Sequence, residues 1–259
     1  MLSRCTHFPY LPVSTSLRRS SNSSNSANFH GRYAASVNPS PCPTSHAYID
    51  VEPMILSGIL EIAPNARAII VFAHGIDSSL ISPRNRLVAR SLLQRGFAVL
   101  LPDLTAKKPG NGVEPTVSHD HEDIYRTASC LTAIIDWLAV DPATSALRIG
   151  LFGGRTGAAS AMIAAARRPV QVHAVVSRGG RPDLADELLH DVRAPTLMIV
   201  GSKDAAHIAH NRKAGERMRD KPMLELIHGA THLFGEPGKL EQVASMSCRW
   251  YQRNLAKCG

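Results

Sequence analysis

The six residues Ala68–Ala73 read Ala-Ile-Ile-Val-Phe-Ala, with no polar side chain among them. A strand with one face in water alternates polar and apolar residues, so an unbroken run predicts a strand covered on both faces. Phe97–Leu101, Leu147–Phe152, Val172–Ser177, Thr196–Val200 and Leu224–Ile227 are runs of the same kind. Helical text separates them. Ser82-Pro83 supplies an N-cap and a first-turn proline for a helix reaching Arg95, where Gly96 is placed to end it. Glu122–Val140 carries Ile124, Leu131, Ile135 and Leu138 at helical spacing. Further helices are expected at Thr156–Arg168, near Pro182–Val192, near Ala206–Arg219 and at Lys239–Lys257. Upstream, Tyr48–Glu52 and Ile55–Ile62 alternate enough for an antiparallel hairpin. Strand and helix in strict alternation predict an α/β fold: a mostly parallel sheet with helices on both faces, forming one domain over residues 47–259.

Residues 1–46 do not share this regularity. They are rich in Ser, Asn and Pro and lack periodic apolar residues, so they cannot offset the entropy of ordering. They hold Arg4, Arg18, Arg19 and Arg32 with no acid, which is four of the net +8 charges of the 259-residue chain. An Arg- and Ser-rich, acid-free start fits an organelle transit peptide or a disordered leader, although Pro9 and Pro12 spoil an amphipathic helix. The expected location is the cytoplasm, or a mitochondrion or plastid if the leader is a transit peptide. With half the charge excess in the leader, the remaining basicity describes a solvated surface, and no nucleic-acid motif accompanies it. No apolar run approaches the roughly 18 residues of a membrane span. The five cysteines are odd in number and form no Cys-x-x-Cys pair, which favours free thiols and disfavours structural zinc.

The chemistry gathers where strands end, since sites in parallel sheets form beyond the carboxyl ends of the strands. Residues 149–158 read Ile-Gly-Leu-Phe-Gly-Gly-Arg-Thr-Gly-Ala. A short strand followed by Gly153-Gly154-Arg155-Thr156-Gly157 and a small-residue helix has the frame of Gly-x-Ser-x-Gly, the turn that presents an attacking serine. Arg155 stands at the serine position. The other informative strand ends are His74-Gly75-Ile76-Asp77-Ser78-Ser79, Gly201-Ser202-Lys203-Asp204 and Gly229-Ala230-Thr231-His232-Leu233-Phe234. The order elbow, acid, histidine is that of the α/β-hydrolases, distinct from the two other serine-hydrolase arrangements.

From about Ala47 to Leu255 the chain resembles a dienelactone-hydrolase-like α/β-hydrolase. The resemblance rests on Phe72-Ala73-His74-Gly75, Ser82-Pro83-Arg84-Asn85-Arg86, Phe152–Gly157, Ser177-Arg178-Gly179-Gly180-Arg181-Pro182-Asp183 and Gly229–Phe234. It implies hydrolysis of a carboxylic ester or lactone through an acyl-enzyme. His232 would be the general base and Asp204 would orient its imidazole. The backbone N–H groups of Ile76 and Thr156 would form the oxyanion hole. His74, Asp77, Ser177 and Arg178 stand as candidate substrate or ion-pair contacts. Two departures matter: Arg155 replaces the nucleophile, and Ile76-Asp77 replaces a small Gly/Ser-rich loop.

A guanidinium stays protonated at working pH and is no nucleophile. The expectation is therefore an impaired hydrolase; the alternative is a non-catalytic pocket or scaffold protein that binds an anionic small molecule. A buried Arg155 would need a partner, and Asp77 or Asp204 is expected to supply it. A substitute nucleophile among Thr156, Ser78, Ser79 or Ser177 is disfavoured because none occupies the elbow. Arg84, Arg86, Arg178 and Arg181 flank the expected mouth and are either anion contacts or solvated residues. His119-Asp120-His121 is metal-like in residue type only, and His207 and His210 read as a surface face. No metal or cofactor is expected. The expected partner is a small ester or anionic ligand, with no nucleic acid and no membrane, and the chain is expected to be a monomer or homodimer.

Overall fold

The structure, a computed structural model, describes residues 44–51, 54–74, 82–104 and 121–256. Its centre is an eight-stranded sheet in the order β1-β2-β4-β3-β5-β6-β7-β8. The strands are β1 (Thr44–Val51), β2 (Met54–Glu61), β3 (Ala68–Ala73), β4 (Ala98–Pro102), β5 (Arg148–Gly154), β6 (Val172–Arg178), β7 (Thr196–Gly201) and β8 (Met223–Ile227). From β4 across to β8 every pairing is parallel; β1 and β2 form an antiparallel hairpin that joins β4 antiparallel. The hairpin begins at Thr44, a few residues inside the segment expected to be leader.

The helices are α1 (Pro83–Gln94), α2 (His121–Val140), α3 (Thr156–Arg167), α4 (Ala205–Arg217) and α5 (Lys239–Leu255). One sheet face packs against α2 and α3, through residues such as Leu131, Ile135, Met162 and Ile163. The other packs against α1 and α5, through Val88, Leu92, Val243 and Tyr251. Every residue of β3 is buried, as its unbroken apolar run requires. Tyr251 is fully buried on α5, and its hydroxyl donates to Leu151 O at 2.6 Å, so a polar tip inside the core is satisfied by the backbone of β5.

Three local expectations differ. Ser82 precedes α1 but its side chain makes no capping hydrogen bond, so Pro83 alone marks the start. The segment near Pro182–Val192 is a 3-10 helix over Pro182–Asp191, broken at Asp186, whose φ is 47°. β8 is the last strand of the sheet, and Met223 and Leu226 remain exposed there instead of being covered on both faces.

Candidate active site

At the end of β5 a single residue, Arg155, separates strand from helix α3. Its φ and ψ are 54° and −128°, a region that costs a non-glycine residue roughly 1–3 kcal/mol. Such strain is what a strand-to-helix elbow imposes in order to push one side chain outward, and Arg155 is exposed. The turn is also pinned from behind. A Cβ on Gly157 would lie 2.2 Å from Ala73 O, so only glycine lets α3 start against the end of β3. The Thr156 amide opens α3, where first-turn N–H groups have no acceptor within the helix.

The loop Gly179–Arg181, after β6, gathers the remaining parts. Arg181 N–H donates to Arg155 O at 2.9 Å, which fixes the elbow. Asn211 Nδ2, on α4, donates to Gly180 O at 3.0 Å. Gly179, at φ 48°, sits so close to the histidine loop that a Cβ would meet His232 O at 2.4 Å. Elbow, α4 and histidine loop therefore meet around three residues.

Asp204 begins α4 as its N-cap, and its Oδ1 accepts the His207 amide at 3.1 Å. Oδ2 faces two imidazoles: His207 Nδ1 at 2.8 Å and His232 Nδ1 at 3.4 Å. Neither meets hydrogen-bond alignment, and His207 Nδ1 is left without a directed acceptor. The two rings stack, 5.4 Å apart and 3° from parallel. Burial pushes the Asp204 carboxyl upward, but the His207 amide, the His207 ring and the His232 ring outweigh it and hold the pKa below the ordinary carboxylate value. The acid and histidine loops are laced together by Lys203 N–H to Ala230 O (3.0 Å) and Gly229 N–H to Ser202 Oγ (2.9 Å). Glu236 Oε1 accepts the Thr231 amide at 3.0 Å, and the buried Phe234, at φ 54°, anchors the far side of the loop.

The four arginines expected at the mouth separate into different situations. Arg181 forms a bidentate pair with Asp183, both contacts at 2.9 Å. Arg86 is exposed. Arg178 is 7% exposed, yet its Nε and Nη1 have no hydrogen-bond partner; Arg84 Nε is buried and unpartnered in the same way. Burial first, then the charges of Arg84 and Arg155, lowers the Arg178 pKa to about 10.

The structure thus brings Arg155, Thr156, Asp204 and His232 to one end of the sheet. Ile76, Asp77, Ser78 and Ser79, with His119 and Asp120, lie outside the described residues. Asp204 faces His207 and His232; Asp77, the other partner expected for Arg155, lies outside the described residues. His74 is buried, and its Nε2 donates to Pro102 O at 2.9 Å, tying β3 to β4. Ser177 is 0% exposed, with its Oγ unpartnered beneath Gly180. His207, expected on a surface face, is the residue sequence reasoning missed. The signal was its spacing, three residues after an N-cap aspartate, which returns a side chain to the cap. Among the described residues no group of three or more His, Cys, Asp or Glu is placed to hold a metal.

Comparison with known proteins agrees with this geometry. Residues 57–256 match the model of the dienelactone hydrolase family. A crystal structure of a dienelactone hydrolase from Anabaena variabilis ATCC 29413 is 43% identical, with TM-score 0.78, over 83% of this chain and 99% of that one. The "Putative phosphoribosyl transferase Rv0571c" of Mycobacterium tuberculosis (strain ATCC 25618 / H37Rv) is 43% identical over 229 residues, 88% of this chain. The chain spans 50% of the length of that relative. Est1E from Butyrivibrio proteoclasticus, solved with ferulic acid, shares the fold at 18% identity and TM-score 0.67, over 81% of this chain and 99% of that one.

Proposed function

We propose, from the premise that the chain belongs to the dienelactone hydrolase family, that it is a member whose ester- or lactone-hydrolysing constellation lacks acyl-enzyme turnover. The observation that carries this is Arg155 at the strained position between β5 and α3, where the attacking hydroxyl of such a site would stand.

In a hydrolase built on this frame, a serine at 155 would lose its proton to His232 as it attacked the carbonyl carbon. Asp204 would hold the imidazole and stabilise its cationic form. The Thr156 amide would meet the oxyanion, a contribution of about 3 kcal/mol per donor in the transition state. The guanidinium supplies no electron pair for the first step, and losing a triad nucleophile typically lowers kcat by about six orders of magnitude. Ser177 offers no substitute, because its hydroxyl is shut beneath Gly180. His207 adds a second obstacle: it takes the closer place at Asp204 Oδ2, so His232 has only a longer hold on its orienting carboxylate.

The test is turnover of p-nitrophenyl acetate. Wild type is expected at background, and Arg155→Ser is expected to gain at least about 100-fold, with the gain lost in Arg155→Ser/His232→Ala. Wild-type turnover that disappears in His232→Ala would overturn the reading.

A further inference from the structure

A strand at the end of a sheet has one neighbour, and β8 is such a strand. It pairs with β7 in an unshifted parallel register, from Leu197 opposite Met223 to Gly201 opposite Ile227. In a strand the N–H and C=O of one residue point the same way, and successive residues alternate. Ile227 O accepts the Ser202 N–H at 3.0 Å, just past the end of β7. Met223, Glu225 and Ile227 therefore turn their peptide groups toward β7, and Leu224 and Leu226 turn theirs to the open edge. Unpaired backbone groups in a row are a template for another strand, and natural edges are blunted by lysine, proline or a bulge. Within β8, which reads Met-Leu-Glu-Leu-Ile, none of the three occurs. Among the described residues no further strand pairs with it.

The side chains are equally unfinished. Met223 and Leu226 are 45% and 43% exposed, on opposite faces of the strand. On the Met223 face, β8 and α5 frame a groove floored by Met223, Met246 and Trp250, with Glu225 on the strand side and Arg249 and Arg253 on the helix side.

We propose that β8 pairs antiparallel with β8 of a second copy, about a two-fold axis at Glu225, and so joins two eight-stranded sheets into one. The edge is complementary to itself in this register. Leu224 and Leu226 of the second copy exchange both backbone hydrogen bonds, and the axis repeats the exchange, so all four open groups of each copy are used. On one face Leu226 is covered by Leu224 of the second copy; on the other, Met223 is covered by Ile227. Glu225 meets its own copy at the axis. Like charges directly opposite destabilise a strand pair, and Arg249 and Arg253 of both copies border the same groove to offset them. Other registers fit worse. An axis at Leu224 sets Leu226 opposite Pro222, which has no N–H to donate; an axis at Leu226 sets Glu225 opposite Ile227. Hydrogen-bonding groups, apolar side chains and charges answer one another under a two-fold rotation, as an isologous contact requires.

The experiment is sedimentation equilibrium of the full chain over a micromolar concentration range, joined to cysteine cross-linking. A concentration-dependent dimer is expected for the wild type. Leu226→Pro removes an outward N–H and leaves the β7 ladder intact. It is expected to weaken association at least about 100-fold, since each dimer loses two symmetry-related hydrogen bonds. Leu226→Ala, which keeps the N–H, should weaken it less, and thermal melts of each variant check folding. Glu225→Cys sets two thiols across a non-hydrogen-bonded pair, where Cα atoms lie about 4.5 Å apart and within disulfide reach. Mild oxidation should then give a covalent dimer whose linkage maps to position 225, whereas Met223→Cys, away from the axis, should not link to itself. A wild type that stays monomeric throughout the range overturns the proposal, as does a dimer undiminished by a folded Leu226→Pro. If Leu226→Pro does not fold, Glu225→Cys decides, and a linkage no more abundant than in Met223→Cys overturns the pairing.

Discussion

The two halves of the site answer the same problem in opposite ways. On the β7–β8 side, the Asp204 carboxylate accepts the His207 amide and has two imidazoles within 3.4 Å. On the β5–β6 side, Arg178 and Arg84 are buried in part or whole with nitrogens that bond to nothing described. Both halves hang on the Gly179–Arg181 loop, so the contrast does not come from different scaffolds. It lies in charge. The acidic half meets its charge with hydrogen bonds and imidazoles, whereas Arg178 and Arg84 bury nitrogens that have no acceptor.

That comparison can be broken most forcibly at the frame common to both halves. Gly157→Ala places a methyl carbon 2.2 Å from the backbone oxygen of Ala73, with no side chain available to yield. A loss of about 3 kcal/mol or more is expected in urea denaturation.

Arg178→Met separates the halves next. A pKa lowered from 12.5 to about 10 means that the native state binds the proton less tightly than the unfolded chain does. At pH 7 both states are charged, and the buried charge costs the fold on the order of 3 kcal/mol. Methionine keeps much of the volume without the charge, so Tm should rise by roughly 2–8 °C. A fall in Tm would show Arg178 to be satisfied after all.

The acidic half should respond with the opposite sign and more weakly. Asp204→Ala removes the cap of α4 and should cost about 1 kcal/mol at pH 7. Because its pKa is lowered on folding, Asp204 contributes stability above the ordinary carboxylate range and loses it as pH falls through the lowered value. The gap between wild type and Asp204→Asn, which keeps a capping oxygen, should therefore shrink at low pH in the same denaturation assay. The smallest effect concerns the shared carboxylate. Added to Arg155→Ser, His207→Ala frees Asp204 for His232 and should raise ester turnover a few-fold, about 1 kcal/mol in the barrier.

The sheet was legible because burial on both faces writes itself as unbroken apolar runs; β3 agrees residue for residue over Ala68–Ala73. β8 was less so, since a terminal strand with exposed Met223 and Leu226 is as apolar in sequence as a covered one. At the site, the elbow could be placed because glycine spacing reports backbone contact, as Gly157 against Ala73 demonstrates. Partner choice could not be read. His207 and His232 are remote in sequence, and only folding stacks them over one carboxylate. The four arginines looked alike in the sequence, and what distinguishes them is position: Arg181 reaches Asp183 two residues on, whereas Arg178 is turned across Gly154.

The proposed reading is that residue 155 stands where an attacking hydroxyl would and supplies no nucleophile. Incubation with a fluorophosphonate, followed by intact-mass spectrometry, probes that statement without reference to any substrate. An unmodified wild type is expected, with one adduct on Arg155→Ser and none on Arg155→Ser/His232→Ala. A stoichiometric adduct on the wild type, mapped to a serine or threonine of this site, would contradict it.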